Sequence, residues 1–528
     1  MFETIEKRLD RLIREGHAGV LAGAAIGLEK ETLRVSPDGK IAQTPHPAKL
    51  GAPLTHPWIT TDYSEALTEL ITPPCTDARE ALDFLRDAQV FVYAALGDEL
   101  LWATSMPCVV AGETSIPIAR YGPSNAGMMK TIYRRGLGYR YGRAMQVIAG
   151  VHFNYSMAPE FWPAYQQLLG DRQAPVDFRS THYMGLVRNL QRLGWLVPYL
   201  FGASPAVCKS FLGGKPTQLE AFDENSCYGP AATSLRMGDI GYQNNREAEI
   251  GFKANYDSLA TYIASLEYAI STPCPEYEAI GVFVDGEYRQ LNANILQIEN
   301  EYYSTIRPKQ TPVNNERPAL ALRRRGIDYV ELRSLDVNAF DPLGIHQGQL
   351  DFLEAFLVFC LLDDSPLISD SERGEIDNNE LLAAHRGRQP RLALARDGRA
   401  VLLRDWALEV CDGMELVCSA LDEANGTTRY MAALRQQREV IRDPEATPSA
   451  RMLREMRDNR EGFFDFAWRM SRAHEEFFKQ AALSPAREAF FREAAANSRA
   501  RQEEIEAGDA LSFEDYLRRY YTETAEDD

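Results

Sequence analysis

The 528-residue chain is poor in the features that mark many protein classes. Its eight cysteines, at positions 75, 108, 208, 227, 274, 360, 411 and 418, are scattered and form no CxxC pair. A chain of this length needs no disulfide staples, so reduced thiols are expected. No run approaches the roughly 18–20 apolar residues that cross a bilayer. The nearest, FLEAFLVFCLL at 352–362, is shorter and carries Glu354. The opening MFETIEKRLDRLIREGH spaces Phe2, Ile5, Leu9, Leu12 and Ile13 as an amphipathic helix and lacks the apolar core of a secretory signal. The expectation is a soluble, cytoplasmic protein with no membrane partner. Positive charge is also short, with 57 Lys and Arg against 76 Asp and Glu and a net charge of −19, which disfavours nucleic-acid binding. There is no GxSxG, no HExxH and no P-loop, because proline follows the Gly-Lys pair of LGGKPT.

Hydrophobic content of 45% suffices for a large core. From about residue 23 to 341 the chain alternates short strand-like runs with helix-like ones. The strand-like runs include WITTDYSEALTELITPP, MQVIAGVHFNYSM, YRQLNANILQIENEYY and IDYVELRSLDV; ALDFLRDAQVFVYAALG is helix-like. From about His346 the period becomes helical, and DWALEVCDGMELVCSALDEANG closes on a helix stop at Asn425 and Gly426. The expected fold class is α+β. Residues 1–345 form the catalytic α+β region, and residues 346–528 a mostly helical region packed on it or continuous with it as one domain. No repeat is present, and the acidic tail TETAEDD has the composition of a disordered end.

What stands out is a set of acidic residues in apolar, strand-like settings. In GLEKETLR, Glu29 and Glu31 lie two apart and share one face of a strand, while Lys30 faces away. Asp62 and Glu69 bracket a run ending in LTELITP. GVHFNYS puts His152, Asn154 and Ser156 on one face, and YVELRSLD does the same for Glu331 and Arg333. Singly, each has a bland explanation: a wet strand face, a structural histidine, a surface ion pair. Together they fit a curved antiparallel sheet that converges polar positions inside a funnel.

Convergence has a cost. Two like charges about 4 Å apart repel by roughly 4 kcal/mol at an effective dielectric near 20. Several such pairs rival a whole folding free energy of roughly 5–15 kcal/mol. Protons or divalent cations must neutralise the cluster. Carboxylates with few thiolates suit Mg²⁺ or Mn²⁺, and an acidic cage beside arginine suits phosphoryl transfer from ATP. The same carboxylates would also serve a hydrolase that activates water, or a non-catalytic metal-binding protein.

The segments GLEKETLRV, HPWITTDYSEALTELITP, YGRAMQVIAGVHFNYS, GWLVPYLFGASPA, ATSLRMGDIGY, NILQIENEYYSTIRPK and GIDYVELRSLDVNAFDPLGI closely resemble proteobacterial glutamate–cysteine ligase. The likeness runs in order from about residue 27 to 344; the helical third resembles the family in length and character. GVHFNYS is also similar to the metal-binding strand of the wider glutamine synthetase-like superfamily, whose curved antiparallel sheet forms a funnel-shaped active site.

The resemblance implies ATP-dependent ligation of L-glutamate to L-cysteine through a γ-glutamyl phosphate, the first step of glutathione synthesis. A ligase joining glutamate to another amine would share the same cage. By resemblance Glu29, Glu31, Asp62, Glu69, His152 and Glu331 are the ligands of two or three Mg²⁺ or Mn²⁺ ions. Glu31, Asp62 and Glu69 face substrate; Glu29, His152 and Glu331 face the phosphates. Arg333, with Arg307 as a second candidate, contacts the transferring phosphoryl group. Tyr133, Leu137, Gln146, Ile148, Arg236, Tyr242 and Tyr303 recognise cysteine, with Tyr63 flanking them where the family has phenylalanine. The implied protein is a monomer inhibited by glutathione, which contains the product's γ-glutamylcysteine unit.

Overall fold

The computed structural model describes residues 3–107, 109–241, 251–313 and 316–523. Tyr242 and the tail at 524–528 therefore lie outside the described residues, as does Cys108; the remaining cysteines are free thiols.

A seven-stranded antiparallel sheet organises the chain. Its strands are β1 (Ala25–Val35), β2 (Ile59–Thr61), β3 (Leu67–Ile71), β4 (Leu100–Leu101), β5 (Gly150–Ser156), β6 (Ile306–Lys309) and β7 (Tyr329–Asp336). The order is β6-β7-β5-β1-β3-β2, with β4 on the end of β1, and the sheet stays open. The runs GLEKETLR, GVHFNYS and YVELRSLD are strands, as their period-2 pattern requires. The run YRQLNANILQIENEYY differs from expectation. Only its first residue joins a strand, Glu287–Tyr288, and the rest is loop with a 3-10 turn at Glu299–Glu301. Its amide side chains take the ladder's place. Asn292 Nδ2 donates to Gln297 O at 3.0 Å, Asn294 Nδ2 to Ile270 O at 2.6 Å, and Gln297 Oε1 accepts from Leu291 N at 3.0 Å.

The back of the sheet is covered by helix. Helix α1 (Glu3–Arg14) buries Ile5, Leu9 and Leu12. Helix α2 (Ala78–Tyr93) packs on β1 and β3. Lys30 points to this side, its Nζ donating to Gln89 Oε1 of α2 at 2.6 Å, and burial lowers its ammonium to about 7. Helix α3 (Asn125–Tyr141) flanks the opposite, carboxylate-bearing face. The change of character at His346 is a helix start. His346 caps α4 (Gln347–Leu362) in a reciprocal box with Gln349. This helix, which contains the long apolar run, is buried against α2, α5 (Leu403–Asn425) and α6 (Arg429–Arg442). Helix α5 ends where expected, with Gly426 left-handed at φ 61. A small hairpin, Ala393–Arg396 with Arg399–Leu402, interrupts the helical region. Helices α7 (Pro485–Ala507) and α8 (Phe513–Thr522) return to the sheet's front. Ser498 of α7 accepts from Ala52 N at 2.9 Å and gives its carbonyl to Thr55 at 2.5 Å. No helix among the described residues is long and apolar enough to cross a membrane.

Glu354 interrupts the apolar run because it has a partner: Tyr430 OH of α6 donates to it at 2.8 Å. Burial raises this carboxyl from 4.5 to about 7, against the opposing pull of Tyr430 and Arg429. The native chain thus holds a proton that the unfolded chain releases. The resulting stability is complete below 4.5 and is lost as pH rises through 7, to the extent of roughly 3 kcal/mol. Denaturant midpoints of Glu354→Gln, measured from pH 4.5 to 7.5, are expected to fall less with rising pH than those of the native chain. Parallel curves would exclude Glu354 as the source.

Candidate active site

Register brings the candidate residues together. Glu29 on β1 sits opposite His152 on β5, and Glu31 opposite Glu69 on β3. Across the other edge, Glu331 on β7 sits opposite Asn154 of β5 and Arg307 of β6. Facing pairs share a side of the sheet, so carboxylates far apart in sequence line one wall. They border a cavity of about 710 Å³. Of the sequence candidates, Glu29, Glu31, Asp62, Tyr63, Glu69, Tyr133, Leu137, Gln146, Ile148, His152, Tyr303, Arg307, Glu331 and Arg333 all line it. Arg236 does not. It is buried behind the wall, 1% exposed, with Nη2 donating to the carbonyl of Arg333 at 2.8 Å.

The tightest knot is Glu29, His152 and Glu331, whose ligand atoms lie within 4.8 Å of one another. His152 Nδ1 is 3.0 Å from Glu29 and 3.6 Å from Glu331, while Asn154 Nδ2 donates to Glu29 at 2.8 Å. Arg333 Nη1 donates to Glu331 at 2.7 Å, and Lys309 Nζ stands 3.4 Å from its other oxygen. His152 Nε2 and that second oxygen, Glu331 Oε2, are buried and make no hydrogen bond; each has only a charged neighbour at 3.4 Å, Glu31 Oε1 and Lys309 Nζ. Buried ligand atoms of this type, oxygen and imidazole without thiolate and without a hydrogen bond, fit a hard divalent cation. Glu31, Asp62 and Glu69 form a neighbouring acidic group that is not gathered to one point among the described residues. Glu31 accepts from Gly150 N at 2.7 Å, and Asp62 from Tyr63 N at 2.6 Å.

Charge divides the cavity into two ends. Burial pushes Glu331 up, but Arg333, Lys309, His152 and Arg307 outweigh it and hold the carboxyl well below its usual range. Burial and the Glu331 charge likewise oppose Glu29, which His152 and Lys309 nevertheless keep low. At the other end burial dominates. Glu31 is raised despite His152, and Glu69 is raised well above the usual range by burial and by Glu29, Asp62 and Glu31. Part of the wall is aromatic and aliphatic, with Tyr133, Leu137 and Ile148, and Gln146 Nε2 donating to Tyr303 OH at 2.7 Å. The Tyr63 hydroxyl has no hydrogen-bond partner and is buried against Gly138, where a Cβ would come within 2.5 Å.

The family model for glutamate–cysteine ligase matches residues 9–382. The chain belongs to the glutamate–cysteine ligase family. It is 46% identical to the glutamate–cysteine ligase of Alcanivorax borkumensis, over 98% of this chain and 99% of that one. It is 48% identical to that of Pseudomonas paraeruginosa, over 98% of both. The crystal structure of the Francisella tularensis glutamate–cysteine ligase in complex with AMP covers 95% of this chain and 98% of its own, with a TM-score of 0.88 at 36% identity. A bifunctional glutathione synthetase from Pasteurella multocida covers 89% of this chain and 54% of its own, with a TM-score of 0.71 at 25% identity. The likeness to glutamate–cysteine ligases thus extends through the helical third, beyond the segments that carry it in the sequence reading.

Several cavity residues escaped the sequence reading. Lys309 follows Arg307 by two in the strand IRPK, so the same alternation that exposes Glu29 and Glu31 pairs them on the wall. Lys130 and Arg134, one helical turn apart on α3, face Tyr121 at 5.2 and 4.6 Å, and Arg134 also donates to the carbonyl of Asp62. Arg501 and Ile505 of α7 and Tyr516 and Tyr520 of α8 close the outer wall. Nothing in their local pattern separates them from ordinary helix surface.

The carboxylate crowd is costly without counter-ions. At alkaline pH, where the raised Glu69 carboxyl is ionised, removing its charge by Glu69→Gln is expected to raise the melting temperature in EDTA by about 1–3 °C. A melting temperature at or below that of the native chain would show that the repulsion is already relieved.

Proposed function

We propose that the chain joins the γ-carboxylate of L-glutamate to the amine of L-cysteine, consuming ATP and giving γ-glutamylcysteine, ADP and phosphate. The observation that carries this reading is the Glu29, His152 and Glu331 knot, with Arg333 at 2.7 Å from Glu331, facing one cavity with an aromatic and aliphatic end. A carboxylate is a poor electrophile, so the reaction proceeds in two displacements. An oxygen of the γ-carboxylate attacks the terminal phosphorus of ATP, the bond to the β-phosphate breaks, and ADP leaves. The amine of cysteine then attacks the acyl phosphate carbon, the C–O bond to phosphate breaks, and the nitrogen gives up a proton.

Arg333 and Arg307, with Lys309 beside them, line the same end of the cavity and would neutralise the phosphoryl oxygens as charge shifts between them. Glu29, His152 and Glu331 would hold a divalent cation on the phosphate side, and Glu31, Asp62 and Glu69 would hold cation on the glutamate side. Two or three Mg²⁺ or Mn²⁺ ions suit this donor set, and when bound they supply positive charge to phosphate and carboxylate oxygens. Tyr133, Leu137, Gln146, Ile148 and Tyr303, flanked by Tyr63, would take cysteine in the apolar end. ATP and reduced cysteine are supplied together in the cytoplasm, which supports action there.

Three results test the reading. Phosphate release from ATP and glutamate should be stimulated by cysteine more than by 2-aminobutyrate or ammonia, and abolished by EDTA; release indifferent to both amine and chelator would refute it. Arg333→Ala should lower kcat by roughly 10²-fold or more with the melting temperature retained. Near-native kcat in that variant would remove Arg333 from the chemistry. Glutathione, which contains the product unit, should inhibit competitively with glutamate, and inhibition indifferent to glutamate concentration would count against this.

A further inference from the structure

Glu301 lines the cavity without belonging to the carboxylate crowd. Its side chain and that of Arg140, in the last turn of α3, are both fully buried, and Arg140 Nη1 donates to Glu301 Oε1 at 2.9 Å. Tyr141 OH donates to the same oxygen at 2.9 Å, and Gln297 N to Oε2 at 2.7 Å. With both oxygens engaged and its charge matched, this carboxylate has little left to offer a cation or an ammonium group.

The rest of the guanidinium ties down the loop at 289–305. Arg140 Nε donates to Gln290 Oε1 at 2.9 Å and Nη2 to Asn292 O at 2.8 Å, while the Tyr277 ring lies 4.0 Å from its centre. Gln290 Nε2 donates in turn to Tyr277 O at 2.7 Å. Helix and loop run so close that a Cβ on Gly136 would lie 2.2 Å from Gln297 Oε1. A loop without ladder bonds thus takes its shape from one arginine on α3. Two residues past Glu301 it delivers Tyr303, whose ring meets Tyr141 edge-on at 5.8 Å and whose hydroxyl accepts from Gln146 at 2.7 Å. Arg140 and Tyr141 themselves lie outside the cavity lining.

We propose that Arg140 and Glu301 are a positioning pair for the second substrate: they fix Tyr303 and Gln146 on the wall, and so set the affinity and selectivity for the incoming amine without touching it. The inference rests on the ligase reading above, in which Tyr303 and Gln146 take cysteine. Lysine at 140 would keep the charge, but reaching Gln290, Asn292 and Glu301 together needs the planar fork. The test is steady-state kinetics of the native chain, Tyr141→Phe, Arg140→Lys and the double variant Arg140→Met with Glu301→Gln, with cysteine, 2-aminobutyrate, glutamate and ATP varied in turn. The double variant leaves no unpaired buried charge. Tyr141→Phe keeps the ion pair, so the test does not depend on the other variants folding.

The KM for cysteine should rise roughly threefold in Tyr141→Phe and roughly tenfold in Arg140→Lys and the double variant, while the KM values for ATP and glutamate stay within about twofold. The preference for cysteine over 2-aminobutyrate should fall in the same order. KM does not depend on the folded fraction. A pair that merely stabilised the chain would therefore lower the melting temperature and leave every KM native, which would overturn the inference. A raised cysteine KM in the double variant alone would mark Glu301 as a direct contact and overturn it too, as would equal rises for all three substrates. A native chain whose phosphate release ignores cysteine overturns the ligase reading and this inference with it. Cysteine-stimulated release in the native chain, beside variants of native KM, overturns the inference alone.

Discussion

Glu29, Glu31, Asp62, Glu69 and Glu331 face one cavity from three strands and the bend after β2, and this crowding of negative charge is the constraint to which the surrounding structure answers. Antiparallel register forces it: once Glu29 lies opposite His152 and Glu31 opposite Glu69, no side-chain choice can move them to different faces. The helices behind the sheet supply the apolar burial that lets the fold carry the repulsion. Core residues run without a break from Ile5 of α1 to Phe491 of α7. A site strained in this way suits catalysis, because stored repulsion becomes affinity for cations and for arginine-bound phosphate.

The positive groups are distributed unequally, and that inequality gives the cavity a direction. Arg333, Lys309 and Arg307 gather around Glu331 and keep it strongly anionic. Glu69 has mostly burial and other carboxylates for company and rises well above the usual range. One end thereby gathers positive groups around a buried carboxylate. Tyr133, Leu137 and Ile148 add an apolar stretch to the same cavity wall. Lys30, between the two glutamates on β1, takes no part at the front and ties the strand to α2 instead.

The helical third meets the sheet and its cavity in two ways. Helix α4 and its neighbours hold the back of the sheet, and α7 and α8 return to supply Arg501, Ile505, Tyr516 and Tyr520 to the cavity's outer wall. Asn125, at the start of α3, binds Asp509 and Leu511, while Tyr521 OH donates to Gln297 O at 2.7 Å, so α8 is fastened at both ends.

Alternation and helical period are local properties of the chain, which is why GLEKETLR, GVHFNYS, YVELRSLD and the stop at Gly426 could be read without coordinates. The pairing of Glu29 with Glu31, and of Glu331 with Arg333, followed from the same period. YRQLNANILQIENEYY had the right alternation and became loop, because Asn292, Asn294 and Gln297 bond to backbone and leave no ladder. The path by which seven strand segments share one sheet, the bulge that sets Arg333 apart, the burial of Arg236 behind the wall and the return of α8 across its mouth depend on contacts between residues tens to hundreds of positions apart. Short-range pattern carries no record of such contacts. They are chosen by which faces can be buried together, and that choice is made only when the whole chain packs.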